Sequence, residues 1–302
     1  MLILYVGKLG TAILHGILSS QASLAPFGHP SQNIDALSES DNQTRYSFAR
    51  FIACVQHHHS AERIRSSLSN WPDAPVSILV GQNLKGIHDA DVVILGTEPS
   101  AFLDVLDSDD VRRGLQGKIL ISILGGIRTV DLQKVLLDPS HRGQSVVSAS
   151  PNVASVQRQS ITILEDTGTP LPPPVTELAA FIFSCVGQVK WVPTALMEAC
   201  TALAASTPAL FAVAVDSLAQ AAVQEGVSRS DAVEIAAYAM MGAAALLLQG
   251  EEPANICRKV ATPGGATMAG LQVLEDKGLR STLSDALKTI VGKIKTLKAS
   301  AA

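Results

Sequence analysis

Five short apolar runs set the strongest limit on what this chain can fold into: residues 1–6, Phe51–Val55, Val76–Val80, Val92–Leu95 and 119–123. A strand with one wet face alternates polar and apolar residues. A run without alternation is buried on both faces, as strands of a parallel sheet are. Stretches of helical spacing, such as Ala12, Ile13, Leu14, Ile17 and Leu18 and then 61–68, separate these runs. Strand alternating with helix predicts a doubly wound parallel sheet. Residues 146–148, 161–164 and 189–192 read as further, shorter strands. Residues 19–50 are rich in Ser, Asn, Gln and Pro without periodicity and read as a long surface loop.

After residue 192 the pattern changes. From 194 to 297 Ala and Leu recur at helical spacing, and Pro208 should kink or divide the first helix. Ser228-Arg229-Ser230-Asp231 opens the next helix as a capping-box-like start, and Gly250 closes it. Residues 231–249 are apolar nearly all round (Ile235, Tyr238, Met240, Leu246, Leu247), so that helix should be buried on every side. A helical domain of roughly 110 residues hardly encloses such a helix alone. A partner subunit is the economical explanation.

Composition narrows the class. The chain has 302 residues, enough for two domains, and is 47% hydrophobic but only 4% aromatic, so its core is built from Ala, Leu, Val and Ile. A net charge of −4 and the lack of a basic stripe argue against nucleic acid. Cys54, Cys185, Cys200 and Cys257 have neither metal-ligand nor disulfide spacing and read as small buried hydrophobes in a reducing compartment. The start shows no basic region and no cleavage-site pattern. The charge-free stretch 235–250 falls short of the about 20 residues of a membrane span. The expectation is a soluble cytoplasmic protein, without metal.

Tyr5-Val6-Gly7-Lys8-Leu9-Gly10 stands where a G-x-G-x-x-G dinucleotide fingerprint belongs. Its glycines permit the tight turn, admit the pyrophosphate and let helix pack on strand. Gly7 and Gly10 fit the second and third tasks, and Tyr5 occupies the first glycine's place. The predicted architecture is therefore an N-terminal Rossmann-type doubly wound parallel sheet over 1–192 and a C-terminal all-α dimerisation domain over 193–302. No Asp or Glu ends the strand Phe51–Val55; Gln56, His57, His58 and His59 follow, which favours NADP over NAD. Adjacent histidines do not converge easily on one ion, so they read as a solvated turn.

The sharpest local pattern is Thr262-Pro263-Gly264-Gly265-Ala266-Thr267. A Pro-Gly-Gly turn before a small-residue helix offers unpaired backbone N–H groups to an anion such as a carboxylate. A plain helix–helix turn is the alternative.

The segment 253–271 closely resembles the signature of pyrroline-5-carboxylate reductases, Val-x-Ser/Thr-Pro-Gly-Gly-x-Thr. The stretch 199–209 is similar to that family's Thr-x-Leu-x-Gly-Ser-Gly-Pro-Ala helix, residues 119–127 and Ser150-Pro151-Asn152 to its sheet segments, and 10–18 to its first helix. The resemblance covers nearly the whole chain in order and is nearest to fungal members. It implies that NADPH reduces a cyclic imine, 1-pyrroline-5-carboxylate to proline or a related imine, in a homodimer or an assembly of dimers. Carried over by position, Gly264, Gly265 and Ala266 would hold the carboxylate with help from Thr262. Thr267 would contact the ring nitrogen and pass it a proton. Gly7, Lys8, Leu9, Gly10, Gln56, His57, Thr97 and Asn152 would face the cofactor.

The chain departs from the family at Tyr5, at Glu98 in place of a lysine, at Gln56 and His57 in place of basic residues, and at Ala204, Ala205 and Thr207 in the Gly-Ser-Gly turn. Gln220 and Arg258 each take the place of a usual Asp. Each lost charge-assisted contact is worth about 1.5–3 kcal/mol, so NADPH binding is expected to be weak. A repurposed member that only binds a small acid or imine, or acts on it without redox chemistry, is the second reading. A β-hydroxyacid dehydrogenase would need a lysine early in the second domain, and none occurs between Lys190 and Lys259.

Overall fold

The computed structural model describes residues 2–5, 7–22, 46–106, 108–136 and 145–301. β1 (Leu2–Tyr5) leads through Gly7 into α1 (Lys8–Ala22); then come β2 (Phe51–Val55), α2 (His58–Ser67), β3 (Val76–Val80), α3 (Asn83–His88) and β4 (Val92–Leu95). α4 (Phe102–Leu106), α5 (Asp109–Leu115), β5 (Ile119–Ser122), α6 (Thr129–Leu136) and β6 (Ser145–Ser150) follow, and β7 (Ser160–Asp166), α7 (Pro173–Ser184) and β8 (Gly187–Pro193) complete the sheet. Residues 19–22 of the expected loop belong to α1, and 23–45 lie outside the described residues.

The sheet has the order β3-β2-β1-β4-β5-β6-β7-β8. Strand residues sort by parity: Phe51, Ala53, Val92, Ile94 and Ile121 pack with α1, α2 and α7, whereas Ile52, Cys54, Val93, Leu95 and Leu120 pack with α3, α4, α5 and α6. Both faces of the central strands β2 and β4 are covered, so these strands are apolar throughout, whereas β7 and β8 nearer the edge carry polar residues. The expectation of a parallel sheet needs one correction. β7 runs antiparallel to β6, and β8 runs parallel to β7. The connection 151–159 holds only a 3₁₀ turn (Val153–Gln157), too short for the dozen or more residues of a parallel crossover. The chain therefore reverses there, and α7 restores a crossover between β7 and β8.

Gly16 sets how closely α1 lies on its neighbours: a Cβ there would stand 2.2 Å from Val186 Cγ1 and 3.2 Å from the Cys185 carbonyl oxygen.

Pro208 is the second residue of α9 (Thr207–Gln224), preceded by α8 (Met197–Thr201) and a π-helical turn, Ala202–Ser206. The wider turn accommodates the missing N–H and the bulk of the proline ring. α10 (Arg229–Leu248), α11 (Pro253–Val260), α12 (Ala266–Asp276) and α13 (Leu279–Ala301) follow. Ser228 Oγ accepts the Asp231 N–H at 3.2 Å and so caps α10; at its other end Gly250 takes φ +89°, with its N–H on the Leu247 carbonyl at 3.0 Å. Residues 206–290 form one compact unit, and the sheet with its helices to residue 205, together with 291–301, forms another. This division falls later than the expected 192/193 because Met197 and Ala204 pack on Ile163 and Val192 of the sheet.

Within one chain α10 is not enclosed. Ala232 is its one buried residue, and Ile235, Tyr238 and Leu248 are 64%, 62% and 74% exposed. Phe211, Val213 and Leu218 of α9 are exposed as well. The described residues of one chain thus leave these apolar faces uncovered.

Replacing Gly16 with Ala should destabilise the sheet unit by about 1–3 kcal/mol through overpacking. Urea unfolding should show a lower midpoint at unchanged slope; an unchanged midpoint would show that α1 is not held at this distance.

Candidate active site

The strand order changes direction at β1, whose neighbours β2 and β4 are reached on opposite sides. In open α/β sheets the crevice at the carboxyl ends beside such a switch point takes ligands. Gly7 lies there, and a Cβ on it would be 3.5 Å from the Gly96 carbonyl oxygen at the end of β4. The Gly7 carbonyl accepts both the Thr11 N–H (3.1 Å) and the Thr11 hydroxyl (3.0 Å), which fixes the first turn of α1 as it leaves the crevice. Leu9 and Gly10 lie in that turn, half-buried and buried; the side chains of Tyr5 and Lys8 lie outside the described residues.

Thr97 carries the most direct sign of a missing partner. Its Oγ1 is buried and, like that of Thr162 in β7, has no hydrogen-bond partner among the described residues, a state that costs about 1–3 kcal/mol unless a ligand satisfies it. The hydroxyl is placed just past β4, where it can serve a polar group of a dinucleotide. Glu98 beside it is exposed. At the end of β2, Gln56 and His57 are exposed, and His57 caps α2 by position while its ring stacks on His59 at 5.4 Å. No carboxylate follows β2 directly to repel a ribose phosphate. No group of three or more metal-ligating side chains occurs among the described residues. The turn after β5 adds Gly125 and Gly126, whose Cβ positions meet nothing within 4 Å, with Gly126 at φ +82°. Two glycines open to space and an orphaned hydroxyl fit a flat, polar cofactor.

Asn152 lies at the carboxyl end of β6, but its side chain is engaged within the protein. Its Oδ1 accepts the Ala154 N–H (3.0 Å) and its Nδ2 donates to the Ala204 carbonyl (3.0 Å) in the π-helical turn. Thr201 Oγ1 donates to Ser150 Oγ at 3.1 Å alongside. Asn152 thus ties the end of β6 to the π-helical turn.

In the helical unit, Thr262, Pro263, Gly264 and Gly265 make a type II turn: Gly264 has φ +74°, and the Gly265 N–H donates to the Thr262 carbonyl at 2.9 Å. This corrects the expectation that Gly265 offers its N–H to a carboxylate. The N–H groups of Gly264, Ala266 and Thr267 have no partner within the described protein, and the residues are exposed. Gly265 is nonetheless required by the turn, because a Cβ there would stand 2.6 Å from Thr262 Oγ1. A side chain at 265 would disturb the turn before it met any ligand. α12 begins at Ala266, so its N-terminal dipole adds to the three free donors.

Sequence patterns alone did not mark one buried group. Glu165 Oε2 accepts the Thr129 N–H (3.0 Å) and hydroxyl (2.6 Å), and Thr129 Oγ1 lies 3.0 Å from Ser148 Oγ. Beside them Asp131 binds the Arg128 guanidinium at 2.9 and 3.0 Å, and this hydrogen bonding holds its carboxyl below the usual range while raising that of Arg128.

A family model described as pyrroline-5-carboxylate reductase dimerisation matches residues 194–297. A pyrroline-5-carboxylate reductase from Lophium arboricola is 38% identical over 288 residues, covering 93% of this chain and 88% of that protein. A delta-1-pyrroline-5-carboxylate reductase from Curvularia clavata is 35% identical, covering 97% and 89%. Among solved structures, the NADP-bound pyrroline carboxylate reductase of Plasmodium falciparum shares the fold, with TM-score 0.77 at 18% identity over 98% of this chain and 97% of that one. The stretches Thr194–Gln224 and Arg229–Leu248 are long and apolar enough to cross a membrane by length and composition. Both lie within the dimerisation match, so a second copy of the chain accounts for their exposed apolar faces.

Light scattering at low micromolar concentration should give a dimer or a multiple of it, and Ile235→Asp should yield monomers or aggregate with a lowered Tm. A folded, monomeric unmodified protein would contradict the pairing.

Proposed function

The chain belongs to the pyrroline-5-carboxylate reductase family, and on that footing we propose that it reduces 1-pyrroline-5-carboxylate to proline with NADPH. The observation that carries this reading is the start of α12, where the free N–H groups of Gly264, Ala266 and Thr267 meet the helix dipole. Such a site suits a small carboxylate, and the imine substrate carries one.

When bound, NADPH supplies the hydride that adds to the imine carbon. The chain's own residues account for the rest. Gly7 and the first turn of α1 would receive the pyrophosphate, since the helix N-terminus attracts anions. Gln56 and His57 would lie at the phosphate-bearing ribose, and the orphaned Thr97 hydroxyl would gain a polar partner. Gly125 and Gly126 leave room for a flat ring. Gly264 and Ala266 would hold the substrate carboxylate, with Thr262 beside them. Thr267 would donate its hydroxyl proton to the ring nitrogen, which becomes the amine as hydride reaches the adjacent carbon, and would recover a proton from solvent.

The exposed carboxylate of Glu98, placed next to Thr97, supports weak cofactor binding by repelling phosphate. A calorimetric titration should therefore find NADPH binding weaker than low micromolar, and Tyr5→Gly combined with Glu98→Lys should tighten it. Low micromolar affinity in the unmodified protein would overturn this reading of the two substitutions.

Oxidation of NADPH should depend on added 1-pyrroline-5-carboxylate. Thr267→Ala should weaken binding of a proline-like acid by roughly 0.5–1.5 kcal/mol but lower kcat about 100-fold or more if its hydroxyl carries the proton. Binding of proline-like acids without any turnover would favour a repurposed member of the family instead.

A further inference from the structure

We propose that Glu165 is a positioning residue for the turn that receives the nicotinamide half of the cofactor, an inference that rests on the reductase reading above. The turn runs from Leu124 through Gly125 and Gly126 to Arg128, between β5 and α6. Its tip has no side chain to hold it: nothing lies within 4 Å of a Cβ built on either glycine. The position of the tip is therefore set by its two ends. At the first end the Leu124 N–H donates to Ser122 Oγ at 3.3 Å, and the Ile123 N–H donates to the Leu95 carbonyl at 2.9 Å. At the second, Asp131 grips Arg128, and Glu165 takes both the N–H and the hydroxyl of Thr129, the first residue of α6.

Of these ties, Glu165 is the one that reaches in from a separate, reversed strand. The β6–β7 register pairs Ala149 with Leu164 and Ser150 with Ile163, so its next step sets Ser148 beside Glu165. The carboxylate is 2% exposed and sits on the N-terminus of α6, where negative charge is favoured. Thr129 gives its hydroxyl proton to the carboxylate at the shorter distance, 2.6 Å, and its Oγ1 lies 3.0 Å from Ser148 Oγ. A small cavity of about 30 Å³, room for about one water, adjoins Gly126, Ser148, Glu165 and Thr201. Truncating Glu165 would enlarge it, strand the Thr129 donors and free the turn to shift.

The location identifies which half of the cofactor would respond. The end of β2 serves the adenosine ribose in this sheet type, and β5 lies on the other side of the switch point. A displaced turn after β5 should therefore disturb the nicotinamide half and leave the adenosine half alone.

The test is calorimetry on the full-length protein with two ligands, NADPH and adenosine 2′,5′-bisphosphate, which lacks the nicotinamide. Glu165→Ala should weaken NADPH about five- to tenfold, the worth of one net hydrogen bond, and leave the bisphosphate unchanged. Glu165→Gln should recover most of the loss, because its amide oxygen still accepts the Thr129 N–H. Should Glu165→Ala not fold, Thr129→Val provides the same test, with a smaller loss expected for NADPH alone. Equal weakening of both ligands would show that Glu165 merely supports the whole unit and would overturn the proposal. So would an unchanged NADPH affinity while the unmodified protein binds it. No binding of either ligand by the unmodified protein would instead sink the reductase reading, and this inference with it.

Discussion

A helix apolar on every side has to be enclosed, and the described residues of one chain do not enclose α10. Ile235, Tyr238 and Leu248 stand in solvent when one copy is taken alone. At about 25 cal/mol per Å² of apolar surface, leaving such faces wet forfeits several kcal/mol, a large part of a domain's net stability. Pairing of subunits through these faces would therefore add directly to the stability of the helical unit. The turn at Thr262–Thr267 belongs to that same unit.

The sheet unit follows a different logic. Its core is complete within one chain, with helices on both faces. What it leaves unfinished is polar: the Thr97 hydroxyl without a partner, two open glycines after β5, and the end of β2 without a carboxylate. The buried polar groups nearby are, by contrast, paired. Asn152 satisfies Ala154 and Ala204, and Glu165 satisfies Thr129. The Thr97 hydroxyl stands at the crevice and these paired groups hold its walls, while a second unpaired hydroxyl, that of Thr162, is buried in β7.

Much of this was legible in the sequence because burial on both faces leaves a recognisable run. Phe51–Val55, Val76–Val80 and Val92–Leu95 are strands at the bounds their apolar runs suggest. The cap at Ser228 and the glycine at 250 also stand where sequence chemistry puts them. The reversal at β7 was hidden, since a buried strand reads alike in either direction and only the short connection before it betrays the turn. Gly265 was misread for a local reason: Pro263 followed by Gly264 makes a type II turn, and that turn consumes the next N–H. The Glu165–Thr129–Ser148 cluster could not be seen at all. Its members lie far apart in sequence and are ordinary polar residues one by one; only the strand register brings them together.

The central claim is that hydride passes from NADPH to the carbon of a cyclic C=N bond on this protein. Its most direct test is isotopic. The protein is incubated with 1-pyrroline-5-carboxylate and NADPH carrying deuterium at the transferable position of the nicotinamide, and the proline formed is weighed by mass spectrometry. The account predicts proline with a single deuterium on the ring carbon that was double-bonded to nitrogen. Consumption of the imine without deuterium in the product, or no proline at all, would contradict it.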